Sequence, residues 1–233
     1  MPNTRTFRLI GQGVYSFSEA SRLSRVPAPR IRRWTRGYTY VYRGEQRFSP
    51  PPIGIHDEGQ ADEPLVSFAD LLEVRFLNAF REYGVSWRTI RIASEAAKEL
   101  LGRHHPFSSR IFKTDGRTIL AEILRETGDS FLLDLVRSQY EFEKIVSPFL
   151  FAGIEYNDLS EPHRWWPLGD SRSVVVDPER AFGAPIVNAE GVPTQVLYNA
   201  YNAEQAFEFV AGWFEVSLES VKDAVAFEHS LSA

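Results

Sequence analysis

Between Arg30 and Arg36, four of seven residues are arginine, and the other three are Ile31, Trp34 and Thr35. A guanidinium is planar, always charged, and carries its donors in a fixed fork that fits a phosphate or a guanine edge. The chemistry on offer here is recognition of a polyanion rather than bond making. Two other clusters carry reactive types, His56-Asp57-Glu58 and His104-His105. Adjacent side chains point in different directions on a regular element, and neither cluster has the i, i+4 spacing of helical metal ligands. The chain has no cysteine, which excludes thiolate metal sites, cysteine nucleophiles and disulfide scaffolds. It also lacks a Gly-rich phosphate loop and a Gly-x-Ser-x-Gly elbow. No catalytic residue, metal or cofactor is expected.

Charge is unevenly spread along the 233 residues. Residues 1–50 hold ten Arg and two Glu, a balance of +8, while the remainder holds 16 basic and 29 acidic residues, a balance of -13. No lysine precedes Lys98. A basic end on an acidic body is expected where one part meets a polyanion and another part does something else. The apolar fraction of 43%, with five tryptophans, is enough for real cores. No stretch reaches the roughly 20 apolar residues of a membrane span, so a soluble cytoplasmic protein is expected.

The arginines need an element that aims them. Upstream, Ser16 and Glu19 have capping-box spacing and predict a helix from Phe17, with Phe17, Ala20 and Leu23 inward. Val26-Pro27 ends it. A second helix starts near Ala28, tolerates Pro29 in its first turn, and ends at Gly37. At roughly 100° per residue, Ile31 and Trp34 share the inward face, Arg36 points away, Arg32 and Arg33 flank that direction, and Arg30 lies nearer the side. This is a helix-turn-helix with an arginine-bearing recognition helix. Tyr38, Tyr40 and Tyr42 alternate before a turn and a return run to Ser49, which predicts a hairpin wing with Arg43 and Arg47 near backbone phosphates. Arg30, Arg32, Arg33, Arg36, Arg43 and Arg47 are the candidate DNA contacts.

The fold expected is mainly α with short β hairpins (α+β), built as tandem winged helix-turn-helix units plus a C-terminal helical hairpin domain. Residues 1–50 form the DNA-binding head. A Pro- and acid-rich stretch at 50–64 reads as a linker. Residues 65–150 form a second winged unit for packing or dimerisation, with helices capped by Ser67 and Ser86, and a hairpin around Thr114-Asp115-Gly116. A further helix is expected over 130–147, ended by Pro148. Residues 151–233 begin with short strands around Tyr156, Trp165 and Trp166, whose tryptophans read as core. They end in acidic helices from Thr194, with Ser217 as a simple cap.

This C-terminal segment, "VVVDPERAFGAPIVNAEGVPTQVL" with "FEFVAGWFEVSLESVKDAVAFE", resembles the small antitoxin domain of VapB type. Gly183, Pro185, Thr194 and Ser217 to Phe227 stand at its pattern positions, and Gln195 replaces the usual arginine. The N-terminal "YSFSEASRLSRVPAPRIRRWTRGY" is similar to MerR-like helix-turn-helix heads. The resemblance implies an antitoxin that neutralises a PIN-like ribonuclease toxin through its acidic C-terminal part and represses its own operon through its basic head. Phe209 and Trp213 are the aromatic candidates for the toxin contact. The implied partners are the PIN-like toxin, operator DNA and a second copy in a homodimer, with no membrane and no cofactor. A stand-alone MerR-like regulator whose C-terminal part senses a ligand is the competing reading, and an enzyme is a remote one.

Overall fold

Ser16 sets the first helix as its spacing predicts. In the computed structural model, which describes residues 13–53, 65–127 and 151–232, a two-residue strand β1 (Val14–Tyr15) leads into this cap. Ser16 Oγ accepts the Glu19 N–H at 3.2 Å and the Glu19 carboxylate accepts the Ser16 N–H at 2.8 Å, a capping box that opens α1 (Phe17–Ser24). Arg25, left-handed, closes it. After the Val26-Pro27 turn, α2 (Ala28–Arg36) starts with Pro29 in its first turn, where a missing N–H leaves no intrahelical bond unmade. Strands β2 (Tyr38–Tyr42) and β3 (Glu45–Ser49) pair antiparallel, Tyr38 opposite Ser49 and Tyr42 opposite Glu45. Their two-residue loop, Arg43-Gly44, has φ of +52° and +82°. Positive φ at both positions is the type I′ geometry whose twist matches the strands it joins.

A second short strand, β4 (Val66–Ser67), precedes α3 (Phe68–Glu82). Eleven of the fifteen residues of α3 are buried, so this helix is the centre of its unit rather than an amphipathic surface helix. Ser86 caps α4 (Trp87–Leu101), which ends at left-handed Gly102. The predicted second hairpin is absent, because residues 110–127 form one long helix, α5 (Arg110–Thr127). Phe112, Gly116, Ile119, Leu120 and Ile123 are its buried positions. Their spacing of 4, 3, 1 and 3 follows the helical period and outweighs the local turn preference of Asp115-Gly116. Ser109 Oγ accepts the Phe112 N–H at 3.2 Å and starts the helix. Among its described residues the second unit therefore has no wing, and the tandem winged arrangement is corrected to one winged head followed by α3–α5. The helix expected over 130–147 and most of the 50–64 linker lie outside the described residues.

By internal contacts the described residues form two compact units, one of residues 16–53, 65–127, 151 and 156–162, the other of residues 13–15, 152–155 and 163–232. The second unit carries most of a sheet in the order β5-β6-β7-β8, made of β5 (Ile154–Tyr156), β6 (Pro162–Trp165), β7 (Val174–Val176) and β8 (Pro185–Val187). Strand β7 is buried at all three residues, which suits its unbroken Val-Val-Val run. Trp165 and Trp166 are buried, as core tryptophans should be. Three helices follow, α6 (Thr194–Glu204), α7 (Phe207–Phe214) and α8 (Leu218–Ser232). Val187, Leu197, Val210, Val216, Val221 and Val225 are buried together in their core.

Candidate nucleic-acid interface

Helix α2 is held by its two apolar residues. Ile31 and Trp34 are buried, and Trp34 stacks on Trp87 of α4 with ring centres 5.4 Å apart and planes 12° from parallel. The Ile53 N–H donates to the Trp34 carbonyl at 3.1 Å, so the chain leaving the wing is tied to the same helix. With that face fixed, Arg32, Arg33 and Arg36 are exposed. Arg30 behaves differently. Its Nη1 donates to Asn78 Oδ1 of α3 at 3.0 Å and its guanidinium lies 5.9 Å from the Trp34 ring centre. It braces α2 against α3 as well as adding charge.

The wing continues this basic surface. The Arg33 guanidinium sits 5.5 Å over the ring of Tyr38, the first residue of β2. Gly37 makes the junction possible. Its φ is +71°, and a Cβ there would lie 2.3 Å from the Ser49 carbonyl oxygen and 2.6 Å from the Phe48 ring. Arg43 at the wing tip and Arg47 on β3 approach the Tyr42 ring at 5.4 and 5.0 Å. Arg47 also meets Glu45 at 3.4 Å, with both side chains at least half exposed, a geometry worth little in water. All six predicted arginines thus fall on the head. Arg32, Arg33 and Arg36 share the outward side of one helix, Arg43 and Arg47 share the wing, and Arg30 is partly engaged inward.

Helices α3 to α5 hold this surface in place. Arg91 Nη1 donates to Ser49 Oγ at the wing base at 3.4 Å, and Ser94 Oγ and Lys98 Nζ both donate to the Pro52 carbonyl. Beneath them lies a buried polar network. Asp70 Oδ2 accepts from the Ser67 N–H and hydroxyl at 3.0 and 2.7 Å, closing the cap of α3, while its Oδ1 meets His105 Nε2 at 2.8 Å. Glu73 accepts the N–H groups of Phe107 and Ser108 at 3.1 and 2.8 Å. Burial pushes the Asp70 carboxyl up, but the His105 bond and charge with the Ser67 bonds outweigh it and leave Asp70 below the usual carboxylate range. Burial would likewise lower His105, and the Asp70 bond and negative charge raise it instead. Glu73 stays raised by burial despite the His105 charge and the two amides. His105 is thus a structural partner of Asp70. Among the described residues no group of three or more His, Asp or Glu side chains is placed to hold a metal ion, and His56 lies outside them.

The other predicted contact residues stand on α7. Phe209 and Trp213 are 54% and 63% exposed and meet edge to face at 5.8 Å. Glu208 and Glu215 are exposed beside them in sequence.

Comparison with known proteins places these features. Residues 13–94 match the family described as "Putative DNA-binding HTH domain". The chain contains a helix-turn-helix domain. The matched span includes α1, α2 and the wing, and it also takes in α3 and most of α4, the helices that brace them. Over 91% of the chain, the sequence is 28% identical to "Putative antitoxin VapB45" of Mycobacterium tuberculosis, covering 92% of that protein. The fold is similar to the crystal structure of Rv2018 from Mycobacterium tuberculosis, with a TM-score of 0.69, 27% identity, and coverage of 91% of this chain and 96% of that one.

Two parts of the C-terminal unit escaped sequence reasoning. The Ser217 N–H donates to Glu190 Oε1 at 2.9 Å, and the Ser220 hydroxyl donates to both Glu190 oxygens. Glu190, 27 residues upstream, supplies the carboxylate that Ser220 lacks for a capping box. Thr194, at the position expected to open a helix, is buried and bonds Glu228 of α8 and the Pro185 carbonyl. Both partners are distant in sequence, so no local spacing signals them.

Proposed function

We propose that this protein binds duplex DNA through α2 and the wing and acts as the antitoxin and autorepressor of a toxin–antitoxin pair. The observation that carries the DNA reading is the outward Arg32, Arg33 and Arg36 on a helix pinned by Ile31 and Trp34. Exposed guanidinium groups on one side of a braced helix can meet guanine edges and phosphates in a major groove. Arg43 and Arg47 on the wing add contacts to the flanking backbone, and Arg30 contributes charge from the side. The antitoxin part rests on the similarity to "Putative antitoxin VapB45" along nearly the whole chain. On this reading the head is MerR-like, the protein is a cytoplasmic homodimer on a palindromic operator, and the toxin is a PIN-like ribonuclease. The toxin contact includes the exposed Phe209 and Trp213 among acidic neighbours, which suits a partner with a basic RNA-binding surface.

Two experiments test the two halves. Fluorescence anisotropy with duplex DNA from the region upstream of the gene should give salt-dependent, sequence-selective binding. Equal affinity for scrambled duplex would remove the operator assignment. Co-expression with the product of the adjacent reading frame should rescue growth and give a co-purifying complex, and absence of both would remove the antitoxin assignment.

A further inference from the structure

Beyond duplex binding, we propose that the face of the wing bearing Tyr38, Tyr40 and Tyr42 binds single-stranded nucleic acid. Alternate residues of β2 point to one side, and the register places Glu45, Arg47 and Ser49 of β3 on that same side. Tyr40 and Tyr42 are 42% and 46% exposed, and Tyr38 and Tyr40 have ring centres 5.8 Å apart. Cations are interleaved with the rings, Arg33 over Tyr38, and Arg43 and Arg47 over Tyr42. One acidic residue, Glu45, faces these three arginines across the wing. A file of rings threaded with guanidinium groups is the composition of a platform on which bases stack while phosphates are neutralised.

Duplex DNA does not explain these rings. Base pairs in a duplex hide their faces in the stack, and what a wing meets there is sugar and phosphate. Successive tyrosine positions along β2 are about 6.8 Å apart on the backbone and the Tyr38 and Tyr40 ring centres are 5.8 Å apart, both well above the roughly 3.4 Å rise per residue of one strand in a stacked duplex. An unstacked strand, with bases splayed from an extended backbone, can match that spacing and offer π-faces together with negative charge. The wing also exposes Val41 and Phe48 on its reverse side, 70% and 61% exposed, so its outer part stands clear of the core of the head while its base is buried at Ser49. The exposed outer rings, Tyr40 and Tyr42, can receive bases without disturbing the buried Ile31 and Trp34. Either single-stranded DNA or RNA presents this chemistry.

The inference rests on the nucleic-acid reading of the head, and it is tested separately from it. Anisotropy titrations of the full chain would use labelled dT and rU strands of about 20 nucleotides, longer than one binding platform covers, in one arm and an upstream duplex in the other. Both single strands should bind with salt-dependent affinity, and the rU/dT ratio tells whether RNA or DNA is preferred. Tyr40→Ala with Tyr42→Ala should weaken single-strand binding by about tenfold or more and change duplex affinity less than threefold. Tyr40→Phe with Tyr42→Phe should retain it. Arg32→Ala with Arg36→Ala should show the opposite pattern, a weakened duplex arm and a preserved single-strand arm. Because the rings are exposed, the variants should unfold at the same temperature as the parent. The proposal is overturned if neither single strand binds, if the tyrosine pair weakens both arms equally, or if the pair abolishes self-association while single strands never bind. That last result would assign the wing face to a second copy.

Discussion

On the proposed reading, Arg32, Arg33 and Arg36 can reach DNA because Ile31 and Trp34 hold the opposite face of α2 in the core. Replacing Arg33 and Arg36 with Ala should cost roughly 1–3 kcal/mol of operator binding for each base edge that is no longer bonded, and each phosphate left unneutralised should reduce the salt slope by about 0.9. An unchanged duplex affinity in Arg33→Ala with Arg36→Ala would remove α2 as the recognition helix. Arg30→Ala should behave differently, since its bond to Asn78 ties α2 to α3. Urea unfolding should register its removal, by roughly 1 kcal/mol, more clearly than specificity does. Gly37 is the most exacting position at this scale. In Gly37→Ala the new Cβ must displace the Ser49 carbonyl while the backbone keeps a left-handed φ. The expected destabilisation is about 1–3 kcal/mol, read as a lower urea midpoint with an unchanged slope.

At the scale of elements, legibility tracked how local the determining interactions were. The cap of α1 is closed within four residues by Ser16 and Glu19, and the wing turn depends on two adjacent positive φ values, so both could be read from the chain. Helix α5 could not be read from its turn-forming dipeptide, because burial of Phe112, Ile119 and Ile123 against other helices overrides the preference of Asp115-Gly116. The arginine face of α2 was legible from its period, whereas the braces from Arg91, Ser94 and Lys98 join residues more than 40 positions apart. The pair Asp70–His105, 35 positions apart, is also a long-range link, joining the cap of α3 to the turn before α5. His105 is raised in the fold, so its contribution is complete below its unfolded value of about 6.5 and is lost as pH rises through the folded value. Glu73, also raised, acts in the same direction at lower pH, from its unfolded value of about 4.3 up to its folded one. Asp70, lowered, contributes above about 3.9 and loses that contribution as pH falls through its folded value. Thermal unfolding should therefore show stability declining as pH rises from about 6.5 through His105's raised folded value. His105→Gln should flatten that decline and also weaken the acid limb, because His105 is a main cause of the lowered Asp70 carboxyl, and an unaltered decline would show that the pair is not the titrating element.

At the scale of the whole molecule, the proposed function assigns DNA to the basic head and a toxin to the acidic remainder, two different parts of one chain. The obvious dissection, deletion of residues 171–233, is ill suited to this protein. It would remove β7, β8 and all three C-terminal helices while leaving β6 without its neighbour β7. It would also remove Gly183, whose carbonyl accepts the buried Tyr15 hydroxyl at 2.8 Å just before α1 begins. A loss of function in such a truncation would reflect damage to this unit's own fold as readily as a role in recognition. Point changes on α7 avoid the problem. Phe209 and Trp213 lie outside the apolar cluster of Val210, Val216 and Val221, so replacing both with Ala leaves that core intact and should shift the unfolding temperature little. Paired exposed aromatics are the kind of residue whose truncation costs an interface about 2 kcal/mol or more. Phe209→Ala with Trp213→Ala should therefore weaken co-purification of the toxin by at least about thirtyfold while leaving duplex affinity within twofold of the parent. If the double variant still neutralises the toxin at equal expression, α7 is not the inhibitory surface. The contact would then have to be sought on the strand-rich stretch from 149 to 168, whose described part begins at Phe151.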